Sequence, residues 1–226
     1  MPDLVRVALA IAVKDATIEI RTKTAVVSAV VFSILVLAVL FVARDPTVVA
    51  PVDIAPSALW IAFAFAAIIG LNRAFFLERD NNAIDGILLA SQDPASLFLG
   101  KLLANLAFVG TVEAISLPLF VFLYDVNVLH RLPELLGVTA MATVAFVSVG
   151  TLLSAIVVQT RFAELMLPVL LLPFLIPPVV GAVQVTARIL ADRPLSEMMG
   201  WLRLLAAFDL VFCVLPVLLF EATLDR

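Results

Sequence analysis

Charged residues are scarce in this chain. They make up 14% of its 226 residues, while 64% are hydrophobic; an average soluble domain has about a quarter charged and about half apolar. That composition excludes a water-soluble globular domain, because so much apolar surface needs a non-aqueous surrounding. Cysteine is limited to Cys213, inside an apolar run, so neither an intramolecular disulfide nor a C-x-x-C site can form. The single histidine, His130, leaves no cluster with metal-ligand spacing, and no metal is expected. A net charge of −4 with no basic stripe excludes nucleic acid as a partner. The phosphate-binding pattern G-x-x-x-x-G-K-[ST] is missing too. Gly100-Lys101 is the only Gly-Lys pair, but Ala95 stands where the first glycine belongs and Leu102 follows the lysine. The chain is therefore not an ATPase, and energy from ATP would have to come from a partner. No A-x-A-like cleavage site follows a short apolar stretch, so the N-terminus is not read as a removable signal peptide.

Six long apolar runs fill most of the chain: Ala25–Ala43, Ile54–Leu71, Leu102–Tyr124, Leu135–Val158, Leu165–Val185 and Leu202–Ala222. Each matches the ~20 residues a helix needs to cross ~30 Å of hydrocarbon. Nothing alternates as barrel strands do, so the runs are predicted to be transmembrane helices of one all-α permease domain covering 1–226. Residues 1–24 precede the first run. In them Val5, Leu9, Ala12, Val13, Ala16 and Ile20 recur at helical spacing, with Lys14, Asp15, Arg21 and Lys23 crowding the second half. This pattern predicts an amphipathic helix lying in the membrane interface, the alternative being a plain extension of the first span. With the N-terminus inside, nine Lys and Arg fall on the inner side and five on the outer, which places both termini in the cytoplasm.

Between the second and third runs, residues 73–101 interrupt the apolar sequence with LERDNNAIDGILLASQDPASLFLGK from Leu77. Asn82 can cap a short helix with Asp85 three residues on, and Ile84, Ile87, Leu88 and Ser91 share one face of it. Asp93-Pro94 would end that helix and begin the next, with Pro94 at the first helical position. A short helix at about Asn82–Gln92, joined rigidly to two membrane helices, is what a coupling helix requires; a re-entry loop parked on lipid headgroups would show the same periodicity.

The stretch IAPSALWIAFAFAAIIGLNRAF, followed by ER and AIDGILLASQDPASLFLGKLLANL, resembles the CcmB family, the membrane permeases of the cytochrome c maturation (Ccm) haem exporters. KDATIEIR near the N-terminus, VEAISLPLFVF in the third run and RFAELMLPVLLLPFLIPPVVGAV across the fifth agree in order and place. The likeness covers nearly the whole chain, and its most specific part is Leu71–Lys101. Ser91-Gln92-Asp93 departs from the Ser-Pro or Leu-Pro pair often found in the family. The resemblance implies an ABC-2-like permease fold in the bacterial inner membrane, with haem as cargo of the complex and no cofactor held by this chain. It also implies partners: a cytoplasmic ABC ATPase that binds the ATP, a second copy of the chain, a haem-handling membrane subunit, a small helper and a periplasmic haem chaperone. The permease would either pass haem or power release of the loaded chaperone.

Within that frame, Arg73, Glu78, Arg79, Asp80 and Asp85, together with Lys14 and Asp15 on the N-terminal helix, are the expected ATPase-docking residues. The alternative is a solvated loop that fixes topology by its charge. Glu113, midway along the third run, and Asp209, in the sixth, are ionisable groups at membrane depth, where such residues face protein, cavity or partner. Glu113 reads either as a gating or substrate-path group or as a protonated carboxyl bonded to a neighbouring helix through Thr143 or Ser148. Asp209 reads as structural or interfacial. An intramembrane enzyme built on the two would need a His, Lys or metal ligand at depth, and none is present. His130 could ligate haem iron but also reads as a solvated loop residue. Trp60 and Trp201 are expected in an aromatic belt. Pro168, Pro173, Pro177 and Pro178 should kink or interrupt the fifth span, which makes them hinge candidates. Ala66/Gly70 and Gly110/Ala114 have small-residue spacing suited to close helix packing. The rival functions are an ABC-2-type permease for a lipid-linked glycan or drug and a non-transporting membrane scaffold.

Overall fold

The computed structural model describes residues 2–80, 94–157 and 163–224. Seven α-helices and two short 3-10 turns account for nearly all of them, and no strand occurs among the described residues. The helices are α1 (Pro2–Thr22), α2 (Thr24–Ala43), α3 (Pro51–Asp80), α4 (Pro94–Tyr124), α5 (Leu132–Val157), α6 (Ala163–Leu190) and α7 (Met199–Leu224). Among the described residues, five segments are long and apolar enough to cross a membrane: Thr24–Ala43, Pro51–Asn72, Ala95–Tyr124, Leu129–Val157 and Leu165–Leu190. The sixth expected run, 202–222, falls on α7. Following the chain through these helices puts the connections 44–50, 125–131 and 191–198 at one end, here the far end. The N-terminal helix sits at the other, the near end.

The helices divide into inner and outer ones. In α3, 72% of the spanning window is buried, and in α5 61%; α2 has 22% and α4 28%. The sequence of α3 accounts for its place. Ala55, Ala58, Ala62, Ala66 and Ala67 are buried, and short side chains let α2, α4, α5 and α6 all close around it. Gly70 admits the Phe108 ring of α4 where any Cβ would collide with it, and Gly150 of α5 admits Leu71 in the same way. Gly110, the other glycine of the small-residue pairs, has open space where a Cβ would sit, so only Ala66/Gly70 marks a close approach.

Trp60 corrects an expectation. It is not in an interfacial belt but completely buried in α3, where its Nε1–H donates to Thr186 Oγ1 of α6 at 2.8 Å. Its helix is the central one, so the indole finds its partner within the protein. Trp201 is partly buried against the core. The four prolines of α6 lie inside one uninterrupted helix, so they do not divide it. α4 starts at Pro94, the position where proline's missing N–H and fixed φ are tolerated; the Asn82–Gln92 helix and the Asp93 cap lie outside the described residues.

Candidate functional site

α4 carries a polar stripe through an otherwise apolar bundle. Lys101, Asn105, Glu113 and Ser116 are all buried, and at helical spacing they share one broad face. The middle of the stripe faces α5. Asn105 Nδ2 donates to Thr151 Oγ1 at 3.1 Å. Eight residues further along α4 and eight back along α5, Thr143 Oγ1 lies 2.7 Å from both carboxyl oxygens of Glu113. The two helices are thus antiparallel and in register at these polar rungs. Thr143 Oγ1 is also 2.7 Å from the Thr139 carbonyl. One hydroxyl proton cannot serve the carbonyl and the carboxyl together. A proton on Glu113 that donated to Thr143 Oγ1 would complete both bonds. This geometry matches the expected neighbour-helix partner in Thr143, whereas Ser148 turns to its own helix, donating to the Ala145 carbonyl at 3.2 Å. One turn nearer the far end, the buried Ser116 and Thr139 hydroxyls have no hydrogen-bond partner among the described residues.

At the near end the stripe meets α1. Lys101 Nζ lies 2.8 Å from Asp15 Oδ2, and the lysine side chain is 1% exposed. Asp15 also pairs with Lys14 at 3.1 Å. In the sequence, Gly100-Lys101 reads only as a failed nucleotide motif; the signal missed there is that Lys101 heads the face that continues through Asn105 to Glu113. The break that separates α1 from α2 is local. Lys23 adopts φ 54°, and Glu19 Oε1 accepts from the Val26 N–H at 3.0 Å, satisfying one of the free donors at the start of α2. Val5, Leu9 and Val13 form an exposed apolar stripe on α1, while Ala8 is buried toward α4.

Asp209 lies on α7, half-buried, with Oδ1 unpartnered among the described residues. One turn on, the free Cys213 is partly buried on the same helix. Glu113 meets Thr143 between α4 and α5 while Asp209 lies on α7, and among the described residues no three His, Cys, Asp or Glu come together.

At the far end the connections are stitched by exposed charges. His130 Nε2 lies 2.8 Å from Asp192 Oδ1, Arg131 Nε lies 3.5 Å from the same oxygen, and Arg131 Nη1 donates to the Arg193 carbonyl at 2.9 Å. His130 is thus a partner of Asp192. That hydrogen bond, more than the nearby positive charges, holds the exposed Asp192 carboxyl below its ordinary value.

The polar stripe, the small-residue core and the short connections lie within a stretch that matches a known family almost end to end: the family described as CcmB protein covers residues 6–225. The chain belongs to the CcmB family. Heme exporter protein B of Pseudomonas aeruginosa is 26% identical to it over 200 residues, which is 87% of this chain and 88% of that protein. Of the residues singled out for ATPase docking in this CcmB-family chain, Lys14 and Asp15 are those whose side chains are described. Arg73, Glu78, Arg79 and Asp80 belong to the C-terminal part of α3, Asp85 lies outside the described residues, and Lys14 and Asp15 sit on α1 beside Lys101.

Proposed function

We propose that this chain is the six-span permease subunit of an ABC-type exporter that serves c-type cytochrome biogenesis, with haem as the cargo of the complex. The carrying observation is the family match over residues 6–225, joined to a relative named as a heme exporter over 87% of the chain. Five apolar helices support a multi-pass inner-membrane protein. α7, at 26 residues, is about 39 Å long and sufficient for the sixth span. The nine Lys and Arg on the inner side against five on the outer support a reading with both termini in the cytoplasm, in an ABC-2-like arrangement.

Without a nucleotide-binding motif, the chain does no ATP chemistry and depends on a separate cytoplasmic ATPase. That partner would dock on the near end, on the C-terminal part of α3 with Arg73, Glu78, Arg79 and Asp80, on Asp85 of the following segment, and on α1 near Lys14 and Asp15. Closure of the ATPase would press these elements, and the membrane helices would rearrange around the α4 stripe. Glu113 and Asp209 then act as polar contacts between moving helices, and the prolines of α6 as a compliant section. A second copy, the haem-handling subunit and the small helper complete the assembly, which delivers haem to a periplasmic chaperone.

The test is a haem stain of periplasmic c-type cytochromes in cells lacking this gene. Loss of covalent haem, restored by the wild-type chain, is expected; unchanged cytochromes would remove haem as the cargo.

A further inference from the structure

A single residue, Lys23, separates α1 from α2 in the chain, yet α1 packs mainly against α4 and only slightly against α2. Three features make the contact with α4 close. Ala8 of α1 is 2% exposed, and Ala95, Ser96 and Phe98 of α4 are all buried at the start of their helix. Gly100 brings the backbones together: a Cβ there would come within 2.7 Å of Ile11 Cβ and 2.9 Å of the Ala8 carbonyl oxygen. Beside it, Lys101 Nζ and Asp15 Oδ2 are 2.8 Å apart, with Lys101 1% exposed. An ammonium at that depth is expensive to desolvate and must keep its carboxylate close, so the pair resists sliding as well as separation. The Lys23 break, in the left-handed region at φ 54°, leaves α1 and α2 as two helices rather than one rigid rod. α4, in contrast, runs as one helix from Pro94 to Tyr124 and carries Asn105 and Glu113.

We propose that Asp15 and Lys101 form the mechanical joint through which a displacement of α1 is handed to α4 and its intramembrane polar stripe, with Gly100 as the seat of the joint. The two are positioning residues: they touch no cargo, and they set where the Asn105–Thr151 and Glu113–Thr143 rungs stand when the near end is pushed. The proposal rests on the reading that a partner ATPase drives this chain.

The test uses the full complex with its ATPase, the chain carrying Cys213→Ser and pairs of spin labels. Val13 on α1, Leu103 on α4 and Ile176 on α6 are exposed label positions. In the otherwise wild-type chain, a non-hydrolysable ATP analogue should change the Leu103–Ile176 distance by about 2 Å or more, the scale of helix shifts in switching proteins, while the Val13–Leu103 distance stays fixed. In Lys101→Met the Val13–Leu103 distance should become nucleotide-dependent and the Leu103–Ile176 change should shrink. Haem delivery per ATP hydrolysed should fall about tenfold, within the range of coupling changes caused by single residues along a mechanical path. The charge swap Asp15→Lys/Lys101→Asp should restore the fixed Val13–Leu103 distance. A Lys101→Met complex in which both distances behave as in wild type overturns the joint, as does a swap that assembles without restoring the fixed distance. If neither distance responds to nucleotide even in the wild-type background, the ATP-driven reading itself is overturned. Unchanged cytochromes in the deletion strain would instead remove the haem reading and leave the joint to stand on the distances.

Discussion

The two ends of the bundle use the same chemistry in opposite surroundings. At the near end a lysine and an aspartate meet at 2.8 Å between two helices, with the lysine sealed from solvent. At the far end a histidine and an aspartate meet at the same 2.8 Å between two connections, with both side chains more than half exposed. Distance does not separate these pairs; burial does. Water screens the far pair and solvates either partner if the other leaves, so it guides the connections with little energy. The near pair has surrendered hydration, so its partners depend on each other and on the helix contact that shields them. Local turns reinforce the contrast. Asp125 and Asp192 at the far end adopt φ 50° and φ 53°, a conformation aspartate tolerates, and Asp45 caps its own turn by accepting from the Thr47 N–H at 2.8 Å. The far end is closed residue by residue, while the near end is held by packing between helices.

The comparison breaks first at Asp15. Asp15→Ala leaves a buried ammonium without one of its partners, and the bundle should lose about 3 kcal/mol or more, as when one member of a buried pair is removed. Lys101→Met should cost less, because the stranded carboxylate is 18% exposed and lies 3.1 Å from Lys14. Thermal unfolding of the purified chain in one detergent measures both. Equal, small losses would mean that the near pair is as solvated as the far one.

Next in size are changes to the packing that keeps the near pair dry. Gly100→Val pushes side-chain atoms into Ile11 and the Ala8 carbonyl, and overpacking of this kind costs about 1–3 kcal/mol. It should loosen α1 and raise the reactivity of a cysteine placed at Ala8. At Gly110 an added Cβ meets nothing within 4 Å, so Gly110→Val should unfold close to the wild-type temperature. The two glycines thus form a matched control inside one helix.

The mid-membrane rung sharpens the same point without an ion pair. Glu113→Ala removes the carboxyl that Thr143 faces, and the loss of a buried hydrogen bond together with the space left behind should cost about 2 kcal/mol. Glu113→Gln keeps the shape, and its amide N–H can donate to Thr143 Oγ1 while that hydroxyl still bonds the Thr139 carbonyl. Cytochrome haem staining with the Gln variant near wild type and the Ala variant impaired would show that the rung needs a donor at this point. Equal impairment of both variants would show that it needs the negative charge, which neither carries.

These expectations rest on contacts that sequence shows unevenly. The helical spans were legible because apolar runs of membrane length have few alternatives, and Glu113 stood out as a carboxylate in the middle of one. Trp60 was misplaced because the run containing it has no amphipathic asymmetry: a helix enclosed on nearly all sides reads the same as one in lipid. The Asp15–Lys101 pair joins residues far apart in the chain, and a pairing between helices leaves no mark in the periodicity of either. His130 and Asp192 were hidden in the same way, in two polar connections whose meeting only the fold reveals.

The smallest expected effect belongs to that far-end pair, and its pH dependence has a definite sign. The hydrogen bond from His130 Nε2–H, aided by Arg131, lowers the Asp192 carboxyl below its ordinary 3.8. A depressed carboxylate contributes its stabilisation above its ordinary value and loses it as pH falls through the lowered one. The stitch should therefore be intact from neutral pH down to about 4 and open only in stronger acid. Asp192→Asn should mimic the acid state at pH 7, leaving the unfolding temperature unchanged while the backbone amide of Arg131, bonded to the Val128 carbonyl at 3.0 Å, exchanges hydrogen faster. If the unfolding temperature of the assembled complex instead dropped as far as in Asp15→Ala, another subunit would have to cover the far-end pair there, because on the isolated chain water already bathes both of its members.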